Sequence, residues 1–138
     1  TDVISINDEE ARQLSGEYSL VKAAKKIHEL GPKYVIIKKG EHGAMLFSKD
    51  KVFSAPALPL EDVVDPTGAG DTFAGAFIGY IAQQDKTDFE TLKTAVIVAS
   101  AMASFTVEKM GTEALENLSA NDIKNRIFKF KEMTDFKL

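Results

Sequence analysis

The glycine-rich turn Gly68-Ala69-Gly70 is the feature of this sequence that most restricts its fold. It separates a short extended segment, Glu61 to Val64, from a helix whose apolar residues have the spacing of one buried face. The residues of that face are Phe73, Ala76, Phe77, Tyr80 and Ile81. Small residues let the backbone approach an anion, and the first N–H groups of a helix then point at it. The turn therefore predicts an α/β fold in which a phosphate binds at the start of this helix.

The composition is that of an ordinary globular domain. The chain has 138 residues, of which 44% are hydrophobic and 28% charged, close to the averages for such proteins. The net charge of −4 argues against a broad nucleic-acid surface. Because the chain has no cysteine, a disulfide framework, a thiol nucleophile and a thiolate zinc site are excluded. We expect a single α/β unit in the reducing cytoplasm.

No segment has the sequence pattern of a membrane span or a secretory signal. The longest nearly apolar run, Ala95 to Phe105, is shorter than the ~18 residues expected of a span. The first residues, Thr1 to Asn7, lack a basic start and a long apolar stretch. We therefore expect no membrane partner. Since the chain begins with Thr rather than Met and almost directly on a strand, we also expect it to be a piece of something longer.

Apolar patterns in the first part of the chain predict strands and helices. Val3, Ile4 and Ile6 predict a strand that ends at Asn7, and a helix with an acidic first turn follows it. Tyr34 to Ile37 are apolar in a row, which predicts a strand covered on both sides, as in a parallel sheet. Two further segments flank a polar link and predict a hairpin, Ala44 to Phe47 and Val52 to Ala55.

Polar residues at helix spacing predict where three helices begin. Ser19 is the predicted N-cap of a helix in the first part of the chain. Thr87 and Glu90 predict a capping box ahead of a long, largely apolar helix. Ser119 with Asp122 predicts the cap of a last helix.

Two common phosphate-binding devices do not fit the glycine-rich turn. A P-loop needs lysine and a hydroxyl residue after its last glycine, and Ala76 and Phe77 follow Gly75. A dinucleotide fingerprint needs a third glycine where this chain has Phe73. What remains is a helix N-terminus that carries a carboxylate, Asp71, within the anion site. From the spacing alone, Asp71 is either a general base or the helix cap.

Four segments of the sequence resemble motifs of the ribokinase-like (PfkB) carbohydrate kinases. Asp65 to Phe73 (DPTGAGDTF) resembles the family's long and specific C-terminal signature. Asn7 to Glu10 resembles its Asn-x-x-Glu motif, and Lys39 to Gly43 resembles a glycine-containing turn that borders the nucleotide. Ala101 to Gly111 resembles the later helix and turn beside the adenine. The four segments follow the family's order and span most of the chain.

The resemblance implies a ribokinase-like α/β fold with a mainly parallel central sheet and flanking helices. Residues 1–138 match its C-terminal portion, without the N-terminal half and the small β-sheet lid. The implied activity is ATP-dependent transfer of the γ-phosphate to a hydroxyl of a sugar or nucleoside. Because the acceptor half is missing, we expect this chain alone to be inactive. A non-catalytic nucleotide-binding module is the alternative, and a homo-oligomer is compatible with either function.

The resemblance also implies roles for the residues of the glycine-rich turn. Asp71 is implied to be the general base that takes the proton of the acceptor hydroxyl. The N–H groups of Gly68, Ala69 and Gly70 are implied to stabilise charge on the transferring phosphoryl group. Gly68, Gly70 and Thr67 are also implied to border the nucleotide.

Metal and nucleotide contacts are implied elsewhere. Asn7 and Glu10 would orient Mg²⁺ and its water ligands, while a helix cap with a first-turn glutamate is the alternative. Asp65, with Thr67, matches a position that holds a monovalent cation such as K⁺ in some members, while a strand-end cap is the alternative for Asp65. The implied nucleotide contacts are Lys39, Gly40, Glu41, Gly43, Ala101 and Ser104. For Ser104 the alternative is a hydrogen bond to its own helix backbone.

Overall fold

The computed structural model describes residues 2–60, 68–108 and 118–138 of the chain. The chain divides into two units, Thr1–Ala55 and Pro56–Leu138. The first unit contains four strands and two helices, and the described part of the second unit contains three helices.

The first unit is a four-stranded sheet with two helices between its first two strands. Its elements in chain order are β1 (Val3–Asn7), α1 (Asp8–Ser15), α2 (Leu20–Glu29), β2 (Tyr34–Lys38), β3 (Ala44–Phe47) and β4 (Val52–Ala55). The strands lie in the order β1-β2-β3-β4. The predicted hairpin is confirmed with the predicted bounds.

The direction of the strands corrects one sequence-based expectation. The α/β class is confirmed, and β1 pairs with β2 in parallel, Val3 opposite Tyr34. However, β2–β3 and β3–β4 are antiparallel, so the described sheet is mixed rather than mainly parallel. The reason is the length of the connections: the two helices supply the long crossover that a parallel pair needs, whereas a 3₁₀ turn and a short polar link join the other strands.

Strand β2 is the centre of the first unit's core. Its residues Tyr34 to Ile37 are all buried, as their continuous apolar run predicted. The core cluster consists of Ala11, Ala23, Ala24, Ile27, Val35, Ile37 and Phe47. The alanines of α1 and α2 are small enough to let these helices lie close to the sheet.

Three helices form the described part of the second unit. They are α3 (Ala69–Gln84), α4 (Phe89–Glu108) and α5 (Ala120–Thr134). Helix α3 packs on α4, and α4 packs on α5. On α3, the rings of Phe73 and Phe77 stack with centroids 6.3 Å apart, and both rings are buried as predicted. The predicted extended segment Glu61 to Val64 lies outside the described residues.

Helix α4 has buried residues at intervals along most of its length. Its buried residues include Leu92, Val96, Ala99, Ala101 and Phe105. By length and composition alone α4 could also cross a membrane, and 44% of its most apolar stretch is buried inside the protein. The absence of a membrane partner stays a prediction.

Two of the three predicted caps are confirmed and one is wrong. The Ser19 side chain accepts from the N–H of Lys22, and Ser119 forms a capping box with Asp122. Thr87 does not cap α4. The cap is Asp88, whose Oδ1 accepts from the N–H of Thr91 at 2.8 Å. Aspartate is at least as good an N-cap residue as threonine. Asp88 directly precedes Phe89, the first residue of α4, so its carboxylate reaches the free N–H groups of the first turn.

Candidate functional site

The glycine-rich turn is the start of α3. Gly68 is the N-cap of the helix and has a φ of 85°, which favours glycine over any residue with a Cβ. The N–H of Thr72 donates to the carbonyl of Gly68 at 3.0 Å and is the first bond of the helix. The N–H groups of Ala69, Gly70 and Asp71 therefore have no acceptor within the helix, and they point away from its end. This arrangement can bind an anion.

Asp71 lies in the first turn of α3 with an exposed side chain. The cap of the helix is Gly68, and no side-chain hydrogen bond caps it. Within the described ranges, no hydrogen bond or ion pair engages the carboxylate of Asp71. The structure thus gives no support to the alternative that Asp71 is the helix cap. A carboxylate here is favoured by the positive end of the helix dipole and can accept a proton from a group beside it.

The start of α3 is held against the end of α4. The hydroxyl of Thr106 donates to the hydroxyl of Thr72 at 3.1 Å. Thr106 is buried, with 3% of its surface exposed. A Cβ placed on Gly68 would lie 3.8 Å from Cγ2 of Thr106. The turn of α4 that carries Thr106 therefore lies directly behind the glycine-rich turn.

Two further predicted residues of this unit, Ala101 and Ser104, precede Thr106 in helix α4. Ala101 is buried, and its carbonyl accepts from the hydroxyl of Ser104 at 2.6 Å. The bond of Ser104 to its own helix, which the sequence left as the alternative, is thus present. Ser104 is itself buried and accepts a second hydrogen bond, at 2.8 Å, from Nη1 of Arg126.

Arg126 is a residue that the sequence reasoning missed. Its Nη2 lies 3.0 Å from Oε1 of Glu108, its guanidinium stacks 3.9 Å from the ring centroid of Phe105, and its side chain is 10% exposed. The sequence does contain a signal for it. Arg126 stands three residues after Ile123 and four before Phe130, on the apolar face of its helix, where an arginine needs a buried partner.

In the first unit, Asn7 and Glu10 bond to each other at the start of α1. Oδ1 of Asn7 accepts from the N–H of Glu10 at 2.7 Å, and Oε1 of Glu10 accepts from the N–H of Asn7 at 2.9 Å. The helix-cap alternative is therefore present in the structure. Oε2 of Glu10 has no partner among the described residues, so one carboxylate oxygen is left for a metal-bound water.

The segment Lys39 to Gly43 forms a tight turn between β2 and β3. The N–H of Lys39 donates to the carbonyl of Gly43 at 2.7 Å, and the N–H of Gly43 donates to the carbonyl of Gly40 at 3.2 Å. Gly40 and Gly43 have φ angles of 58° and 93°, so the turn depends on glycine at both positions. Glu41 is exposed and lies beside the ring of His42, 3.7 Å away.

The predicted residues fall into two sets. Asn7, Glu10 and the turn from Lys39 to Gly43 belong to the first unit, and Gly68 to Asp71 with Ala101 and Ser104 belong to the second. Asp65 and Thr67, the predicted cation residues, lie outside the described residues. In residues 2–60, 68–108 and 118–138, no three His, Cys, Asp or Glu side chains cluster as they do in an all-protein metal site.

The sequence pattern of the pfkB family of carbohydrate kinases matches residues 1–118. The chain belongs to this family. The resemblance to this family is thereby confirmed, and helix α5, which carries Arg126, begins just after the last matched residue.

Other members of the pfkB family are similar to this chain in sequence and structure. The bifunctional ribokinase/ribose-5-phosphate isomerase A of Fructilactobacillus sanfranciscensis is 36% identical over 118 residues, which are 82% of this chain and 21% of that protein. Aminoimidazole riboside kinase from Salmonella enterica, solved with aminoimidazole riboside and an ATP analog, matches 92% of this chain and 42% of its own, with a TM-score of 0.79 and 30% identity.

A third similar protein is the putative ribokinase II of Escherichia coli, solved with ATP and Mg²⁺. It matches 94% of this chain and 40% of its own, with a TM-score of 0.74 and 32% identity. The ribokinase-like fold is therefore confirmed. This member of the pfkB family spans about a fifth of the curated relative named above and about two fifths of the two solved kinases.

Proposed function

We propose that residues 1–138 are the C-terminal portion of a ribokinase-like kinase domain and supply its nucleotide-binding half. The reaction is ATP-dependent transfer of the γ-phosphate to a hydroxyl of a sugar or nucleoside. The observation that carries the proposal is Asp71, an exposed carboxylate without a described partner, in the first turn of a helix that begins with glycine. Membership of a family of carbohydrate kinases supports this assignment.

In the proposed reaction, Asp71 accepts the proton of the acceptor hydroxyl as that oxygen attacks the γ-phosphorus. The new O–P bond forms while the bond from the γ-phosphorus to the bridging oxygen of ADP breaks. Negative charge on the transferring group faces the N–H groups of Gly68, Ala69 and Gly70. Fixed donors of this kind stabilise the transition state without reorganisation, and the loss of one typically costs about 3 kcal/mol of barrier.

Glu10 is the proposed residue for Mg²⁺. Mg²⁺ prefers oxygen ligands and keeps several waters, so one carboxylate oxygen is sufficient, and Oε2 of Glu10 fits this requirement. When bound, the ion neutralises charge on the phosphate oxygens. Asn7 orients Glu10 through the mutual bonds that join them. A K⁺ site at Asp65 and Thr67 remains part of the proposal.

The nucleotide is proposed to lie against the turn formed by Lys39, Gly40, Glu41 and Gly43. Ala101 and Ser104 are buried in α4, and they belong to the proposed nucleotide contacts. The two solved relatives bind an ATP analog and ATP with Mg²⁺, which supports ATP and Mg²⁺ as the cofactors here.

The acceptor is proposed only as a class, because the relatives named above act on a sugar and on a riboside. We also propose a cytoplasmic protein whose partner is this small molecule, with no nucleic-acid or membrane partner; a homo-oligomer is compatible with this function. A second candidate is a nucleotide-binding module without catalysis, because the free N–H groups at the start of α3 can bind an anion whether or not a proton is transferred.

Nucleotide selectivity and turnover test the proposal together. We expect ATP with Mg²⁺, but not NAD, to raise the melting temperature of the purified chain. We expect no acceptor-dependent ADP from the chain alone with a panel of sugars and nucleosides, because orienting two reactants accounts for roughly 7–11 kcal/mol of a barrier. Robust turnover by the chain alone would contradict its assignment as half a site, and protection by NAD alone would contradict the kinase assignment.

A further inference from the structure

The last turn of α4 contacts a different helix on each of two opposite sides. On one side, Ser104 and Glu108, which are one turn apart, face α5. On the other side, Thr106 faces the start of α3. At about 100° per residue, Thr106 is about 200° around the helix from Ser104. The rotation of this turn about the axis of α4 therefore determines both its contact with α5 and its contact with α3.

Arg126 fixes that orientation from the α5 side. Its planar guanidinium donates to Ser104 at 2.8 Å and to Glu108 at 3.0 Å, and it also stacks on Phe105. The single proton of the Ser104 hydroxyl is donated to Ala101, so its oxygen is an acceptor toward Arg126. A rigid fork bound at two points one turn apart permits a single rotation of α4 about its axis.

Thr106 transmits the orientation to α3. A side-chain atom about 5 Å from a helix axis moves by about 2 Å when the helix turns by about 20°. Such a movement would break the 3.1 Å bond from Thr106 to Thr72. Thr72 closes the first hydrogen-bonded turn of α3 through the carbonyl of Gly68, so the shape of the glycine-rich turn depends on this contact.

We propose that Arg126 is a positioning residue for the nucleotide phosphates, acting through Thr106 and Thr72 on the first turn of α3. The identity of the ligand, the nucleotide phosphates, rests on the proposed function. The mechanism rests on the contacts of Arg126 with Ser104, Glu108 and Phe105. It concerns a helix outside the part of the chain that the family pattern matches.

The test is a double-mutant cycle between Arg126→Met and Thr106→Val, measured in the folded chain. The first readout is hydrogen exchange of the Thr72 amide by NMR, compared with the Val96 amide in the middle of α4, which reports global opening. The second is the affinity for ATP with Mg²⁺ by calorimetry. A merely structural role would change both amides alike and would be additive with Thr106→Val.

We expect Arg126→Met to speed exchange at Thr72 about tenfold beyond any change at Val96. We expect nucleotide affinity to fall about threefold to tenfold. In the Thr106→Val background, the same change should alter each quantity by no more than about twofold. Equal effects in both backgrounds, or an unchanged Thr72 amide, would overturn the proposal.

Two further variants make the experiment decisive. Lys93→Met removes the ion pair with Glu90 at the other end of α4, about 20 Å away along the helix, and should leave both readouts unchanged. If Arg126→Met does not fold, Arg126→Lys keeps a charge beside Glu108 without the planar fork. It should still speed exchange at Thr72, and an unchanged amide in this variant overturns the proposal.

The two proposals fail in different ways. If the wild-type chain does not bind ATP with Mg²⁺, the proposed function is contradicted, while the exchange of Thr72 still decides whether Arg126 holds the first turn of α3. If exchange responds but nucleotide affinity does not, Arg126 is a packing residue and its role toward the phosphates is overturned.

Discussion

Asn7 and Glu10 are joined by two hydrogen bonds, each from the backbone N–H of one residue to the side chain of the other, at 2.7 and 2.9 Å. The two residues that resemble a metal-orienting motif are therefore also the cap of α1. The cap and the metal role are compatible, because the cap uses one oxygen of Glu10 and leaves the other.

Glu10→Gln separates the two roles. Glutamine can also accept from the N–H of Asn7, so we expect the free energy of unfolding to change by less than about 0.5 kcal/mol. The Mg²⁺ concentration for half-maximal activity of the complete enzyme should rise about tenfold or more, because the carboxylate charge is lost. Glu10→Ala should lose the cap as well and cost about 1 kcal/mol by urea unfolding. An unchanged Mg²⁺ requirement in Glu10→Gln would restrict Glu10 to the cap.

Asp71→Asn tests the proposed base. In the complete enzyme we expect kcat to fall by about 10² to 10⁴, the usual contribution of a general base. Nucleotide affinity should be unchanged or tighter, since a negative charge beside the phosphates is removed. Asp85→Asn is the matched control, because it makes the same change at the other end of α3 and should leave kcat within about twofold. Near-normal turnover in Asp71→Asn would refute the role of Asp71.

Gly68→Ala tests the shape of the turn. The added Cβ would meet Thr106 at an ordinary contact distance of 3.8 Å, so its cost comes from the φ of 85°. We expect a loss of about 1–2 kcal/mol in the free energy of unfolding and weaker nucleotide binding. Gly79→Ala in the same helix has open space and an ordinary φ and should stabilise the protein by about 0.5–1 kcal/mol. Equal effects of the two substitutions would contradict the described turn.

Asp88 predicts a pH dependence of stability. Hydrogen bonds from the side chain and backbone of Thr91, with the charge of Lys86, hold the pKa of Asp88 below its usual value. Its contribution is therefore complete above the unfolded pKa of about 3.9 and is lost as the pH falls through the lower folded pKa. Between about pH 5 and about pH 2, the urea midpoint of the wild type should fall more steeply than that of Asp88→Asn.

The matched control for Asp88 is Thr87→Ala, which changes the residue that the sequence favoured as the cap. Because Thr87 is exposed and does not cap α4, its substitution should change stability by less than about 0.5 kcal/mol at any pH. A larger loss in Thr87→Ala than in Asp88→Ala at neutral pH would restore the capping box predicted from the sequence.

Local patterns predicted much of the fold because they act over a few residues. The hairpin, the buried strand from Tyr34 to Ile37 and the cap at Ser119 all follow from spacing within one element. The wrong prediction at Thr87 is also a local one. Thr87 with Glu90 satisfies the capping-box rule and Asp88 satisfies the N-cap rule, and the structure uses Asp88 as the cap. Sequence rules locate such a helix start to within one or two residues.

Contacts between helices could not be predicted in this way. Arg126 lies 22 residues from Ser104 along the chain, and Thr106 lies 34 from Thr72. These pairs depend on how three helices pack, which a periodic pattern does not specify. In the site, sequence rules did suggest a helix start at the glycine-rich turn with the carboxylate of Asp71 beside it, since these residues belong to one turn.

The contacts of Arg126 also mean that the residues matched by the family pattern and the residues that pack together end at different positions in the chain. The pattern ends at residue 118, yet Ser104 and Glu108 find their guanidinium partner beyond it. A protein shortened to the pattern would leave the carboxylate of Glu108 without its ion pair and the flank of α4 open to solvent. A substitution in α5 can therefore act on the start of α3, as proposed for Arg126, while every residue of the glycine-rich turn stays the same.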